Sequence, residues 1–256
     1  MISRYELRLS SPEALSFHPD YAYWLYSWLL SQIPEEQGDL LHLQTDHPIS
    51  QYLCCDRTGK TATWHIALLN DFAHELFSSV IEKTAVIYLN SGKLLLDNVF
   101  HEEPKSPKDF ILSSKGMCSG RVSLQFTSPT SFKQAGRYVI YPQERLILRS
   151  LINRWNSFCP EYLLDDEDAM LMLESGINIT DYSLRTTRYK LKNTLIPSFC
   201  GQVSMNAKLP VALAELWNIL LSWAPYSGLG IKTALGMGGI QIVRHTRNTS
   251  DSSART

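Results

Sequence analysis

The order of strand-like and helix-like segments constrains the fold of this 256-residue chain more than any other feature. The first half begins with an alternating segment typical of a strand, followed by an apolar helix that Pro34 and Gly38 are expected to end. A second strand, a second helix that Asn70 or Asp71 can cap, and a hairpin come next. These segments lie at 4–9, 21–33, 61–69, 72–83, 85–89 and 93–99. This order predicts a ferredoxin-like unit.

The second half follows a similar plan after a linker rich in Pro, Lys and Ser at 102–108. Its predicted elements are strands at 121–126, 177–192, 197–205 and 240–243 and helices at 143–158, 165–174 and 210–223. We therefore predict an α+β fold with two tandem ferredoxin-like (RRM-like) domains and a C-terminal glycine-rich loop. The predicted parts are an N-terminal domain at 1–115, a C-terminal domain at 116–246 and a polar tail at 247–256.

Composition argues against several classes of protein. The chain is 44% hydrophobic and 11% aromatic, which favours packed cores over disorder. No apolar run approaches the ~18 residues of a membrane span, and the N-terminus lacks the layout of a signal peptide. The five cysteines include no CxxC pair and no zinc spacing. We therefore expect a cytoplasmic protein with reduced thiols and no membrane partner.

Charge is distributed unevenly along the chain. Residues 1–115 carry nine Lys/Arg and fifteen Asp/Glu, whereas residues 116–256 carry fifteen Lys/Arg and ten Asp/Glu. A basic excess in one half hints at a polyanionic partner, although ordinary scatter of solvated charge gives the same pattern.

Five of the 13 glycines fall within residues 228–239, after a predicted helix and before a short strand. The spacing does not match a nucleotide phosphate loop, because Ile231 and not glycine precedes Lys232. It does not match the dinucleotide fingerprint either, because Thr233 stands where the third glycine is needed. Glycine allows positive φ and close approach, and Lys232 adds a cation. We therefore predict contact with an anionic partner, with a plain glycine-rich turn as the alternative.

Residues 226–239 read Tyr-Ser-Gly-Leu-Gly-Ile-Lys-Thr-Ala-Leu-Gly-Met-Gly-Gly. This segment resembles the C-terminal signature of the CRISPR-associated endoribonucleases that cut the repeats of CRISPR precursor RNA, within the repeat-associated RNA-binding superfamily. Weaker matches follow the expected order at 126–132, 154–158 and 199–203. The resemblance implies two ferredoxin-like domains, cleavage without metal or cofactor, and products ending in a 2′,3′-cyclic phosphate and a 5′-hydroxyl. It implies CRISPR repeat RNA as the partner and leaves open a CRISPR effector complex and a homodimer.

Such a reaction needs a base for the ribose 2′-proton and an acid for the departing 5′-oxygen, and histidine suits both transfers. The family places a histidine in a Leu-His context shortly after its first helix, which His42 matches, with His47 as the second candidate. Some members add a tyrosine on the first helix, the place of Tyr26, and a lysine after the histidine. That lysine is missing, because residues 43–56 contain no Lys or Arg. The alternatives are loop histidines in water and a tyrosine that builds the core.

RNA binding is predicted at two basic features. The strand-like segment 182–192 carries four cations beside aromatic residues, where family members use a basic hairpin against the stem of the repeat. In the glycine-rich loop, Lys232 and Thr233 are expected to contact phosphates while the glycines allow close approach. A solvated basic strand is the alternative. The predicted RNA-binding residues are Arg185, Arg188, Lys190, Lys192, Gly228, Gly230, Lys232, Thr233, Gly236 and Gly238.

Residues 165–168 read Asp-Asp-Glu-Asp. We interpret them as an exposed helix N-terminus, which favours acidic residues, and not as a metal site. The sequence therefore predicts a metal-independent endoribonuclease. Its rivals are a non-catalytic RNA-binding subunit of a CRISPR effector complex and a metal-dependent nuclease that uses the acidic segment.

Overall fold

The computed structural model describes residues 1–13, 15–44, 46–116 and 120–244, with the backbone alone of His42. The predicted tail at 247–256 lies outside the described residues. The first half contains strands β1 (Ile2–Ser10), β2 (Ile49–Cys55), β3 (Thr61–Leu68), β4 (Val86–Leu89) and β5 (Gly92–Lys105), and helices α1 (Tyr21–Ser31), α2 (Glu35–Leu43), α3 (Asp71–Lys83) and α4 (Pro107–Ser114).

The second half contains strands β6 (Arg121–Thr130), β7 (Phe132–Gln134), β8 (Arg137–Val139), β9 (Ile177–Leu191), β10 (Thr194–Ala207) and β11 (Ile240–Arg244). Its α-helices are α5 (Glu144–Phe158), α6 (Glu167–Gly176) and α7 (Val211–Ser227). A short 3₁₀ turn at Thr233–Leu235 interrupts the glycine-rich loop between α7 and β11.

Both main sheets have the strand order of a ferredoxin-like domain. The first sheet is antiparallel with the order β2-β3-β1-β5-β4, so β1 lies between β3 and β5 and β4 extends one edge. The second sheet has the order β11-β6-β10-β9, in which β6 lies between β10 and β11. The prediction of two tandem ferredoxin-like domains is therefore confirmed.

Strands β9 and β10 form a long hairpin of 15 and 14 residues. Leu191 pairs with Thr194, so Lys192 and Asn193 make the turn. Lys192, the first of these two residues, has a positive φ of 53°, which both types of primed hairpin turn need at that position. The length of the hairpin carries its tip to the first domain, where the Lys190 amide donates to Asp20 Oδ1 at 3.3 Å.

The apolar cores of the two domains interlock. Trp64 and Phe77 are buried in the first core, which also holds Ala234 from the glycine-rich loop of the second domain. The second core contains Trp155, Trp217 and Trp223 and takes in Ala67 and Leu69 from β3 and the turn after it. This shared burial fixes the two sheets relative to one another, because separating them would expose apolar surface.

Helix α4 packs with the second domain although it precedes the predicted boundary. Phe110 lies in the second core, with its ring centroid 5.2 Å from that of Tyr226. The prediction of a linker at 102–108 was wrong, because these residues form the end of β5 and the first turn of α4. Ser106 caps α4 by accepting a hydrogen bond from the Asp109 amide.

Besides α4, two elements of the first half, α2 and β2, were not predicted. Helix α1 ends before Pro34, as predicted, but Gly38 lies inside α2 and ends no helix. Helix α2 is polar, so it has no apolar stripe, and its acidic first turn at Glu35 and Glu36 favours the helix N-terminus. Strand β2 is buried along both faces over most of its length, which removes the alternation that marks a half-exposed strand.

Asn70 caps α3 as predicted, since its side chain accepts a hydrogen bond from the Ala73 amide at 2.9 Å. Within the described ranges, no helix combines the length and apolar character that crossing a membrane requires.

Candidate functional site

The glycine-rich loop lies at the junction of the two domains. A Cβ atom on Gly236 would collide with the Tyr189 hydroxyl and with the Ala22 side chain of α1. A Cβ atom on Gly239 would meet the ring of Tyr52 in β2. Glycine is needed here because the loop presses against both domains of the protein itself.

This packing changes the interpretation of the glycines. The sequence predicted that Gly228, Gly230, Gly236 and Gly238 admit an RNA backbone, but the structure buries Gly228, Gly236 and Gly238. Gly230 is partly exposed, yet a Cβ atom there would collide with the Ser131 carbonyl. The close approach is therefore to the protein's own chain.

Gln51 of β2 fastens the loop to the first domain. Its buried Nε2 donates hydrogen bonds to the Ala22 carbonyl at 3.0 Å and to the Ala234 carbonyl at 2.9 Å. Its Oε1 accepts a hydrogen bond from Trp64 Nε1 at 2.8 Å. One side-chain amide thus joins α1, the first sheet and the glycine-rich loop.

Lys232 is the exposed residue of the loop. Its φ of 59° and ψ of 33° lie in the left-handed region, which costs a residue with a long side chain on the order of 1 kcal/mol. Its carbonyl accepts a hydrogen bond from the Leu235 amide at 2.9 Å, and the Ile231 amide donates to the Ser131 carbonyl at the same distance. The neighbouring Thr233 is 5% exposed. Of the predicted phosphate contacts in the loop, Lys232 is therefore the most accessible.

Two adjoining cavities run along the domain junction. The larger, of about 710 Å³, is lined in part by Tyr26, His47 and Lys232. The smaller, of about 450 Å³, shares His47 and Lys232 and adds Lys133 and Arg154. Helix α1, the loop between α2 and β2, and the glycine-rich loop thus bring a phenol, an imidazole and an ammonium group to one space.

Tyr26 is 3% exposed and belongs to the first core as well as to the cavity wall. Its hydroxyl makes no hydrogen bond to any residue that the structure describes. Burial raises the pKa of Tyr26 to about 12, so the phenol keeps its proton at neutral pH. The group is therefore a hydrogen-bond donor without a protein acceptor in the described structure.

Helix α5 of the second domain holds the segment that carries His47. Arg154 Nη1 donates a hydrogen bond to the His47 carbonyl at 3.2 Å. Ser157 Oγ, one turn further along, donates to Asp46 Oδ2 at 2.6 Å. These two contacts position a loop of the first domain from the second domain.

Arg154 is a buried cation that begins the family-like segment 154–158, and no role was predicted for it. Its guanidinium carbon lies 5.0 Å from the centre of the Phe158 ring. Burial lowers the pKa of Arg154 to about 10, and nearby Asp46 opposes that effect, so the group stays charged at neutral pH. The sequence feature that could have revealed this buried cation is its position, because Arg154 stands where the pattern of the amphipathic helix α5 places apolar residues.

The first-choice histidine lies on α2. His42 is the penultimate residue of that helix, and its side chain is outside what the structure describes. His47 is the candidate histidine that the structure places on the cavity wall.

Two further histidines, His65 and His74, contact other residues of the first domain. His65 is 6% exposed and stacks on Tyr52 with ring centroids 4.5 Å apart. Burial lowers its pKa to about 4, with Glu6 opposing and Arg4 reinforcing the effect. On α3, His74 Nδ1 lies 3.1 Å from Ser3 Oγ. His245 lies outside the described residues.

The β9–β10 hairpin presents the predicted basic residues on an exposed edge strand. Tyr189 between them points inward, and its hydroxyl donates to the Leu235 carbonyl at 2.6 Å. Alternation along the strand therefore turns Arg188 and Lys190 to the opposite face. Lys192 Nζ at the tip lies 5.8 Å from the centre of the Tyr23 ring. The four predicted cations, all exposed, are Arg185, Arg188, Lys190 and Lys192.

The acidic segment at 165–168 begins helix α6. Asp166 caps the helix by accepting a hydrogen bond from the Ala169 amide at 3.0 Å. This capping role explains one carboxylate, and the helix N-terminus favours those at Glu167 and Asp168. In the part of the chain that the structure describes, no group of three or more His, Cys, Asp or Glu residues is placed to hold a metal ion.

Comparisons with known proteins connect this fold to one family. The family model for the CRISPR-associated endoribonuclease Cas6 matches residues 124–240. A Cas6 endoribonuclease from Streptococcus thermophilus is 30% identical over 229 residues, which cover 88% of this chain and 93% of the relative. A Cas6 endoribonuclease from Mycobacterium tuberculosis is 24% identical over 225 residues, covering 85% of this chain and 70% of the relative.

Solved structures agree in fold. Thermus thermophilus Cas6 superimposes with a TM-score of 0.73 at 20% identity, covering 95% of this chain and 98% of the other. A Cas6 product complex gives a TM-score of 0.77 at 21% identity, covering 95% and 100%. Sequence identity, coverage and fold together show that this chain belongs to the CRISPR-associated endoribonuclease Cas6 family.

Proposed function

We propose that this chain is a metal-independent endoribonuclease that cuts CRISPR repeat RNA into mature guide RNA. The observation that carries the proposal is that Tyr26, His47 and Lys232 line a single cavity at the domain junction. Membership of a family whose relatives are named endoribonucleases supplies the reaction class. We further propose that the protein acts in the cytosol and that its RNA partner spans both domains.

The proposed reaction transfers two protons and needs no water. The ribose 2′-oxygen attacks the adjacent phosphorus while its proton passes to a base. The bond between phosphorus and the 5′-oxygen breaks while that oxygen receives a proton from an acid. The products are a 2′,3′-cyclic phosphate on one fragment and a 5′-hydroxyl on the other.

We assign the base to His47, because imidazole is the side chain suited to accepting a proton near neutral pH. Tyr26 keeps its proton under these conditions, since burial raises its pKa to about 12. We therefore assign it as the donor toward the departing 5′-oxygen. His42, the first choice from the sequence, is kept as the alternative to His47, because its side chain lies outside what the structure describes whereas His47 lines the cavity.

Lys232 takes the role of charge stabiliser. The phosphorane carries more negative charge than the ground state, and a fixed cation lowers the barrier by favouring that charge. The family lysine expected soon after the histidine is absent from residues 43–56. In this proposal the glycine-rich loop supplies the missing cation from the other domain, and its left-handed backbone holds Lys232 against the shared cavities.

The basic hairpin gives the proposal its binding surface. Arg188 and Lys190 face away from Tyr189 on an exposed strand. At such a position an arginine can donate two hydrogen bonds to one phosphate group. Lys192 belongs to the wall of the catalytic cavity, so the hairpin leads into it. A stem of the repeat lying along β9 would place the adjoining strand at His47.

A single experiment tests the reaction and separates its rivals. Purified protein is incubated in EDTA with end-labelled repeat RNA, and in parallel with the same RNA carrying a 2′-deoxy sugar at the cleaved position. We expect the first RNA to be cut to a cyclic phosphate and the second to be bound but left intact. A requirement for added divalent metal, or cleavage of the deoxy substrate, would overturn the mechanism. Tight binding with no cleavage of either RNA would identify a non-catalytic RNA-binding subunit.

A further inference from the structure

A third cavity, of about 730 Å³, adjoins the proposed catalytic cavity on the side of the hairpin tip. The two share Tyr23, Ser27 and Lys192 in their walls. We propose that this cavity binds an unpaired nucleotide of the RNA next to the cleaved position, with its base stacked on Trp24. The proposal rests on the proposed function, because it takes the RNA to be the occupant of the neighbouring cavity.

Trp24 is exposed without a structural reason. Helix α1 buries Ala22, Leu25, Tyr26 and Leu29 against the first domain, whereas Trp24 is 49% exposed on another face. Its indole is held in place by an edge-to-face contact with Tyr23, with ring centroids 5.3 Å apart. A fixed, accessible ring of this kind is the platform on which unpaired bases stack.

A further exposed aromatic ring lines this cavity. Tyr88 of β4 is 70% exposed and lines the same cavity as Trp24. The bases of a duplex are already stacked on one another, so they cannot use such rings, whereas an unpaired base can be turned out of its strand. The concave shape and the aromatic walls therefore favour a single-stranded segment over the stem.

The charges in the cavity also suit a nucleic acid. Lys190 and Lys192 of the hairpin line one wall, and the Lys192 ammonium lies 5.8 Å from the Tyr23 ring. The acidic residue on the wall is Asp20, which is engaged by His18 Nδ1 at 3.2 Å and by the Lys190 amide at 3.3 Å. Cations beside aromatic rings, with the neighbouring carboxylate already bound, are typical of surfaces that hold single strands.

The continuity of the cavities gives the path of the strand. From Tyr88 and Trp24 the walls pass through Tyr23 and Lys192 to His47, and from there to Lys133. An RNA whose stem lies on β9 and whose cleaved phosphate lies at His47 would place its next unpaired nucleotide at Trp24.

The test compares the wild-type protein and Trp24 variants in their binding to RNAs with and without unpaired extensions. Non-cleavable 2′-deoxy RNAs are prepared as a minimal stem with the cleaved position, and with unpaired extensions on the 5′ or the 3′ side. We expect one extension to tighten binding to the wild-type protein, and Trp24→Ala to remove about 5- to 100-fold of that gain. Affinity for the minimal RNA should stay the same. Trp24→Phe should retain most of the gain, because it keeps an aromatic face.

Phe100→Ala is the matched control, since Phe100 is a 57% exposed aromatic residue on β5 outside the wall of this cavity. An equal loss of affinity by Trp24→Ala for minimal and extended RNAs would overturn the proposal, as would the absence of any gain from both extensions. Because the readout is binding of RNA that cannot be cut, it stands even if the cleavage mechanism fails. Thermal unfolding of each variant confirms that it is folded.

Discussion

Arg154 donates a hydrogen bond from Nη1 to the carbonyl oxygen of His47 at 3.2 Å, which links helix α5 of the second domain to the loop after α2 of the first. The Ser157 hydroxyl reinforces the link through Asp46 at 2.6 Å. The proposed base is therefore held by the domain that also carries the glycine-rich loop and the basic hairpin. In the proposed mechanism, this short loop couples the RNA-binding surface to the catalytic residues.

We predict that Arg154→Met slows cleavage about 10- to 100-fold at saturating RNA while leaving the dissociation constant of the RNA nearly unchanged. The substitution removes the contact that positions the His47 backbone, and small displacements of a reacting group have effects of this size. Single-turnover kinetics and a binding titration measure the two quantities. Arg149→Met, an exposed change on the same helix, is the control. A large loss of affinity with normal cleavage of the bound RNA would contradict the positioning role.

We predict that His47→Ala slows cleavage by a factor of about 10²–10⁴, the usual worth of general acid–base catalysis, with RNA affinity near normal. His74→Ala is the matched control, because His74 lies on α3 beside Ser3. His42→Ala is assayed in parallel. If His42→Ala is the slow variant and His47→Ala cuts normally, the catalytic role belongs to α2.

The sequence could predict most elements of both domains because their signals are local. The alternation in β1 and β3, the cap at Asn70 and the basic strand of the hairpin each depend on a few neighbouring residues. Helix α2 and strand β2 were not predicted because one has no apolar stripe and the other is buried along both faces.

The site itself could be predicted in part only. Tyr26, His47 and Lys232 meet because the two cores interlock, and no local pattern reports a contact over about 200 residues of chain. The glycines signalled close approach correctly, but the sequence did not show that the partner is the protein's own α1 and β2. Arg154 stood in a recognised motif, yet its role became visible only with the His47 carbonyl beside it.

Acid should destabilise the protein through His65. Burial lowers its pKa from the usual 6.5 to about 4 in the folded state, so between these values the unfolded chain binds more protons than the folded one. Stability should therefore fall as the pH drops from about 6.5 toward about 4. His65→Phe should weaken this dependence in thermal unfolding scans, because the ring can still stack on Tyr52 but cannot titrate.

His101→Phe is the comparison for that experiment, since His101 also stacks on a tyrosine but is exposed. An unchanged slope of stability against pH in His65→Phe would show that other groups cause the acid sensitivity.

Lys232→Ala and Arg188→Ala should each weaken RNA binding and reduce the dependence of log Kd on log salt concentration by about one. Each cation is expected to release one counterion from the RNA backbone. Lys208→Ala, an exposed cation just beyond the base of the hairpin, should leave both quantities unchanged. Binding is measured by titration at several salt concentrations. Unchanged affinity in both test variants would remove these residues from the RNA surface.

Gly236→Ala should destabilise the protein by about 2–4 kcal/mol even when no RNA is present. The residue has a φ of 100°, and a Cβ atom would collide with Tyr189 and Ala22, so both backbone strain and overpacking oppose the change. Gly38→Ala is the control, because a Cβ atom there meets nothing within 4 Å and a helical alanine should stabilise α2 by about 0.5–1 kcal/mol. Denaturant unfolding measures both changes. If Gly236 were required only for RNA contact, the Gly236→Ala protein would have normal stability and weak RNA binding. If Gly236 is required for the domain junction, the variant is less stable even without RNA.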